Sequence, residues 1–177
     1  MYIAYIQIVI LLVVALISDI KTHKIKNSIT YLFSLTGLLT NVILYGVHGF
    51  LSSIAGWLIP FLLLIALYAA GMLGAGDIKL FSAVGCATGP WFVVASIVFS
   101  FLLGGVIAAV ILFIRRNTRV RFKGLWNYIK ACFLTQSLME YKNNDKSVSS
   151  GRFPFTIAIT PGVLMQLALT LTKIRLL

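Results

Sequence analysis

Apolar residues run almost unbroken from Tyr2 to Ser18, and the pattern returns over Ser28–Val47, Leu51–Leu73, Ile78–Thr88, Trp91–Ile114 and Phe153–Thr172. A run of about 18 or more apolar residues is long enough to carry a helix across a bilayer. The interruptions read "SDIKTHKIKN", "GVHG", "GAGD" and "TGP", followed by a long polar stretch from Arg115 to Arg152. Charge, Gly and Pro all punctuate helices. No two-residue alternation competes, so the pattern predicts an all-α polytopic membrane protein: one domain over residues 1–177 built as a bundle of six transmembrane helices. The first run has no basic segment ahead of it and no small-x-small cleavage signal, so it is expected to persist as a span.

The fourth run, Ile78–Thr88, is much shorter than the ~20 residues a full crossing takes. Charge supports it as a span. The chain carries a net +11, with Lys and Arg placed between the apolar runs. With six spans and Asp19–Asn27 in the cytoplasm, every Lys and Arg except Lys173 and Arg175 falls on the cytoplasmic side, as the positive-inside tendency requires. Five spans would send the basic stretch after Arg115 outward. Both termini are therefore expected outside a plasma membrane. With the outer end of the fourth span near Gly89–Pro90, the helix back to Asp77 rises only about 18 Å, which leaves Asp77 below the cytoplasmic surface.

Composition narrows the function classes. Hydrophobic residues make up 60% of the chain, and the mean hydropathy is +1.00, which excludes an ordinary soluble domain. There is no nucleic-acid motif, so no nucleic-acid partner is expected and membrane lipids are. Within the cytoplasmic basic loop of residues 115–152, Leu125, Trp126, Ile129 and Phe133 recur at helical spacing beside Lys123 and Lys130. An interfacial helix and a helix packed on the bundle fit that pattern equally, and either face attracts anionic headgroups.

Only four acidic residues exist: Asp19, Asp77, Glu140 and Asp145. Acids beside apolar runs are costly and by default functional, facing a bundle interior or a wet cavity. The six-span order brings Asp19 and Asp77 to one face. Two neighbouring carboxylates cannot both ionise cheaply; one holds a proton and the other becomes a base. That pair suits amide hydrolysis, the ionised acid activating water and the protonated one serving the oxyanion and the leaving nitrogen. This chemistry calls for no metal and no cofactor.

The surrounding residues are read against simpler roles. Gly74 and Gly76 would let an extended substrate backbone approach and let the chain leave helical geometry, although Gly in membrane helices also serves close packing. Lys79 would steady the charge of the pair or, as the favoured reading, snorkel to water and lipid phosphate. Asn27 is expected to cap the second helix rather than touch substrate. His23 shares a helical face with Asp19, but there is no HExxH and no further ligand set, so no metal site is expected. Cys86 and Cys132 are widely spaced and are expected to be free thiols.

These residues carry a resemblance. "GAGDIKLFSAVG" resembles the GxGDxK signature of the type IV prepilin peptidase family of intramembrane aspartic proteases, and "SDIKTHKIKN" resembles its "D…[RK]IPN" segment. "RFPFTIAITPG" is similar to the "IPFGPFL"-like start of the family's last span. The resemblance implies an endopeptidase that removes the short basic leader of prepilin-like, single-span proteins at the cytoplasmic membrane face, with Asp19 and Asp77 catalytic. Lys26 stands where the family usually has Pro. Larger members carry a cytoplasmic segment with paired cysteines and also N-methylate the new terminus. This chain lacks those pairs, so the resemblance is to the compact, peptidase-only form. Two rival readings use the same acids: a small proton-coupled transporter with an Asp relay, and a non-catalytic assembly subunit in which the acids are interhelical glue. The absence of an internal repeat counts against the transporter.

Overall fold

The computed structural model describes residues 2–22, 24–114 and 155–175. They form five helices, α1 (Tyr2–Thr22), α2 (Asn27–Ala69), α3 (Ala75–Thr88), α4 (Pro90–Ile114) and α5 (Thr156–Arg175), with no strand among the described residues. The basic stretch, with its helix-spaced Leu125, Trp126, Ile129 and Phe133, lies outside the described residues, as do His23 and Cys132.

α1 shows how sequence periodicity sets the site. Ile8, Leu11, Leu12 and Ala15 are each 1% exposed and repeat at three- and four-residue intervals, and Asp19 continues the same stripe. The opposite face, Ile3, Ile6, Ile10, Val13 and Ile17, is equally apolar but exposed. A helix that is apolar on all sides yet buried on only one has hydrocarbon, not water, as its other neighbour. α1 runs on to Thr22, so Asp19 sits one turn inside the helix rather than at the end of the expected span.

The second and third apolar runs form one assigned helix, α2, reversed at Gly46, whose φ of 58° and ψ of −135° are non-helical. A positive φ is accessible to Gly without the clash a Cβ would bring. The two arms, residues 27–45 and 47–69, then fold against each other. In a straight helix Asn41 and Ser53 would lie about 18 Å apart along the axis; here the Asn41 amide donates to Ser53 Oγ at 2.9 Å. Expected boundaries move accordingly. The reversal takes less chain than "GVHG", and the second arm stops at Ala69, short of Leu73.

α3 is the centre of the bundle, with Leu80, Phe81, Ala83 and Val84 fully buried. It packs on both arms of α2 through small residues. A Cβ on Gly85 would stand 2.1 Å from the Gly56 carbonyl oxygen, and one on Gly56 would stand 2.0 Å from that of Gly85. The backbones touch, and only Gly permits it. The Asn41 amide also donates to the carbonyls of Cys86 (3.0 Å) and Ala87 (3.2 Å), two of the last-turn acceptors that α3 cannot satisfy internally. Asn41→Ala is therefore expected to cost about 1–3 kcal/mol by stranding those carbonyls, read as a lower unfolding temperature of the detergent-solubilised protein. Cys86 is a free thiol, buried, and donates to the Ser34 carbonyl.

α4 is strongly apolar, with Phe92, Val93, Ser96, Ile97 and Ser100 buried and its second half largely exposed, and α5 lies along it, with Ser100 Oγ reaching the Ile159 carbonyl. Among the described residues, three helices are long and apolar enough to cross a membrane: Ile3–Thr22, Asn27–Ala69 and Pro90–Ile111. Exposed side chains such as Ile43 (80%), Trp91 (87%) and Phe113 (88%) give them an apolar outer surface. This is a membrane-embedded helical protein.

Candidate active site

One cavity of about 800 Å³ gathers Asp19 from the end of α1, Lys24 to Asn27 from the α1–α2 link, Gly71 to Asp77, Lys79 and Phe155. All of these come from helix ends or links. A second cavity, about 550 Å³, lies at the opposite end among Ala4, Tyr45, His48, Thr88 and Thr170. The α1 and α3 helices run in opposite directions, so the C-terminal end of α1 and the start of α3 meet in the first cavity.

Asp77 is held by its own helix. It lies in the first turn of α3, three residues after the N-cap Gly74, and its Oδ2 accepts from the Gly74 N–H at 3.2 Å. A carboxylate at this position satisfies an orphan donor and faces the positive end of the helix. This is why the helix starts at Ala75 rather than at Ile78, placing Asp77 inside it. The side chain is half-buried, and it shares one cavity with Asp19.

Asp19 is 7% exposed. Its Oδ2 accepts from Thr156 Oγ1 at 2.5 Å, and Thr156 is fully buried. The sequence pattern does not single out Thr156. Its one signal is a polar residue opening the apolar helix that follows "PF".

The glycines divide. Gly74 is extended, at φ −81° and ψ 147°, and ends helical geometry as expected. Gly76 does not; it is helical, and a Cβ there would sit 3.3 Å from Ile25 Cβ, so its role is to let the α1–α2 link close over α3.

One further expectation is corrected. The N-cap of α2 is Lys26, without a side-chain cap bond, so Asn27 does not cap. Instead Asn27 Oδ1 accepts from Lys79 Nζ at 2.9 Å, across 52 residues of chain. Lys79 Nζ also lies 5.7 Å from the centre of the exposed Tyr31 ring. An ammonium needs partners, and the first turn of α2 offers an amide oxygen and an aromatic face. Lys79→Met and Asn27→Ala are expected to lower function by about three- to tenfold each, and together by little more than either alone. A double-mutant cycle on activity checks the coupling.

These features define a membrane-embedded helical protein with two carboxylates lining one cavity at one end of its bundle. The model of the type IV leader peptidase family matches residues 6–109, more than half of the chain and including both Asp19 and Asp77. The chain belongs to that family, and it is a peptidase of the prepilin type. No curated protein and no solved structure matches it.

Proposed function

We propose that the chain is an aspartic endopeptidase that removes the short basic leader of type IV prepilin-like proteins at the cytoplasmic membrane face, without N-methyltransferase activity. The observation that carries the reading is the cavity wall shared by Asp19 and Asp77, supplied by two antiparallel helices. In the proposed membrane arrangement the two arms of α2 each cross, giving six spans with both termini outside. The cavity then opens to the cytoplasmic leaflet, on the side carrying Lys24, Lys26 and Lys79.

The substrate's apolar helix lies against the bundle, and the extended segment just cytoplasmic to it enters between the acids. An extended segment is required because a helix engages its carbonyls in its own hydrogen bonds. One aspartate takes a proton from water as the oxygen attacks the scissile carbonyl. The other donates a hydrogen bond to the developing oxyanion and then a proton to the leaving nitrogen. Gly74, lacking a side chain, leaves room for the substrate backbone beside Asp77. The basic leader meets lysines in the site, so the acids and anionic lipid supply the attraction for it.

Co-expression with a prepilin-like single-span reporter tests the reading. Wild-type chain is expected to shorten the reporter by its leader, and Asp19→Asn and Asp77→Asn are expected to leave it intact. A transporter would not shorten it at all, and an assembly subunit would keep its role in both variants.

A further inference from the structure

The face of α2 that begins in the active-site cavity continues into the membrane. Asn27, Tyr31, Ser34, Leu35 and Leu38 follow one another at three- and four-residue intervals, so they form one strip along the first arm of α2. From Asn27 to Leu38 the strip rises about 16 Å, roughly half the hydrocarbon thickness. On α3, Lys79 and Cys86 stand about two turns apart on one side of the helix. Asn27 and Lys79 line the active-site cavity, while further along the same two helices Ser34, Leu38 and Cys86 line a third, smaller hollow of about 260 Å³.

The base of this hollow is made of small residues whose polar atoms are already engaged. Cys86 Sγ donates to the Ser34 carbonyl, and Ser53 Oγ accepts from the Asn41 amide. The rim is large and apolar, with Leu35 and Leu38 from one arm of α2 and Ile54 and Trp57 from the other. Leu35, Ile54 and Trp57 are exposed, so the hollow faces hydrocarbon. Small residues beneath a rim of large ones let a neighbouring helix come close while its side chains interdigitate. Between hollow and cavity, along the strip, stands Tyr31, an exposed ring 5.7 Å from Lys79 Nζ.

We infer that the substrate's own transmembrane helix docks on this strip, its first turns lying along Tyr31 to Leu38 with apolar side chains seated in the hollow. The inference rests on the peptidase reading and adds to it a place and a direction. A single-span substrate with its leader in the cavity enters as an extended segment and must leave as a helix heading outward, parallel to the first arm of α2. Continuity with the cavity selects that occupant: the strip starts at two residues of the active-site wall and rises into hydrocarbon, as the chain following a scissile bond must. The cavity at the opposite end of the bundle does not adjoin the acids and cannot receive those residues. Docking of roughly three helical turns fixes how far the scissile bond stands from the span, so the span contributes to specificity along with the leader.

The test uses the full chain in membranes and two reporters with the same leader and cleavage segment, one carrying its apolar span and one ending before it. Ser34→Phe fills the hollow, and Trp57→Ala removes part of its rim. Each is expected to raise KM for the spanning reporter about tenfold with kcat unchanged, the pattern of lost docking, and to leave cleavage of the short reporter as in wild type. Ile43→Trp, at an 80% exposed position outside the hollow, is expected to change neither. A photocrosslinking amino acid at Ile54 is expected to capture the reporter within the first turns of its span. Unchanged KM in both variants, an equal loss on both reporters in both variants, or capture of lipid alone at Ile54 overturns the docking site. If wild-type chain cleaves neither reporter, or Asp19→Asn still cleaves the spanning one, the underlying peptidase reading falls instead.

Discussion

Asp19→Asn and Asp77→Asn are each expected to lower leader removal about a thousandfold or more, while the protein still accumulates in the membrane. In the proposed mechanism each acid moves a proton in the rate-determining exchange, and a positioned acid or base contributes roughly 10²–10⁴. Asn keeps the shape and removes the proton chemistry. Because the two act as a unit, the double variant is expected to be no slower than the worse single one. Asp19→Glu is expected to fail as well, since an extra methylene moves the carboxylate away from the position set by the Thr156 hydroxyl. Mass spectrometry of the reporter's new N-terminus gives the measurement. Retained cleavage in either Asn variant would mean that the peptidase works through other residues.

Gly56→Val and Gly85→Val are expected to be the most damaging substitutions away from the site, costing about 3 kcal/mol or more. Each would drive a Cβ to about 2 Å from a backbone oxygen on the facing helix. A flexible side chain can rotate away from such a clash, but a carbonyl held in a helix cannot. Relief must come from moving α3 off the second arm of α2. That displacement would carry Asp77 with it, so activity and thermal stability are expected to fall together, and Gly→Ala at either position to show the same direction at smaller size. A Gly85→Val protein that unfolds at the wild-type temperature would show that the two helices are not in backbone contact.

The two acids are conspicuous in the sequence because the background is so apolar: with four acidic residues in 177, a carboxylate next to a membrane-length run stands out. The periodic stripe Ile8–Leu12–Ala15 also points Asp19 inward, since burial of one α1 face obeys the helical repeat. Asn27 and Lys79 are visible in the same way, but the local preference of Asn27 misleads. Capping is its expected role, and the partner that overrides it lies 52 residues away. Thr156 is hidden for a related reason, because a threonine at a helix start is unremarkable until its neighbour is known.

The order of residues along the chain is enough to establish the helical class, the membrane-length runs, the reversal near Gly46 and the presence of two acids beside apolar runs, because solvent preference and backbone freedom act residue by residue. What each site residue touches is settled by the packing of the folded bundle: Thr156 serves Asp19, Lys79 turns to Asn27 and Tyr31, and Gly76 makes way for Ile25. Hydrogen bonds and close contacts act over about 3–4 Å, and which groups come that near depends on how whole helices pack, which no local stretch of chain contains.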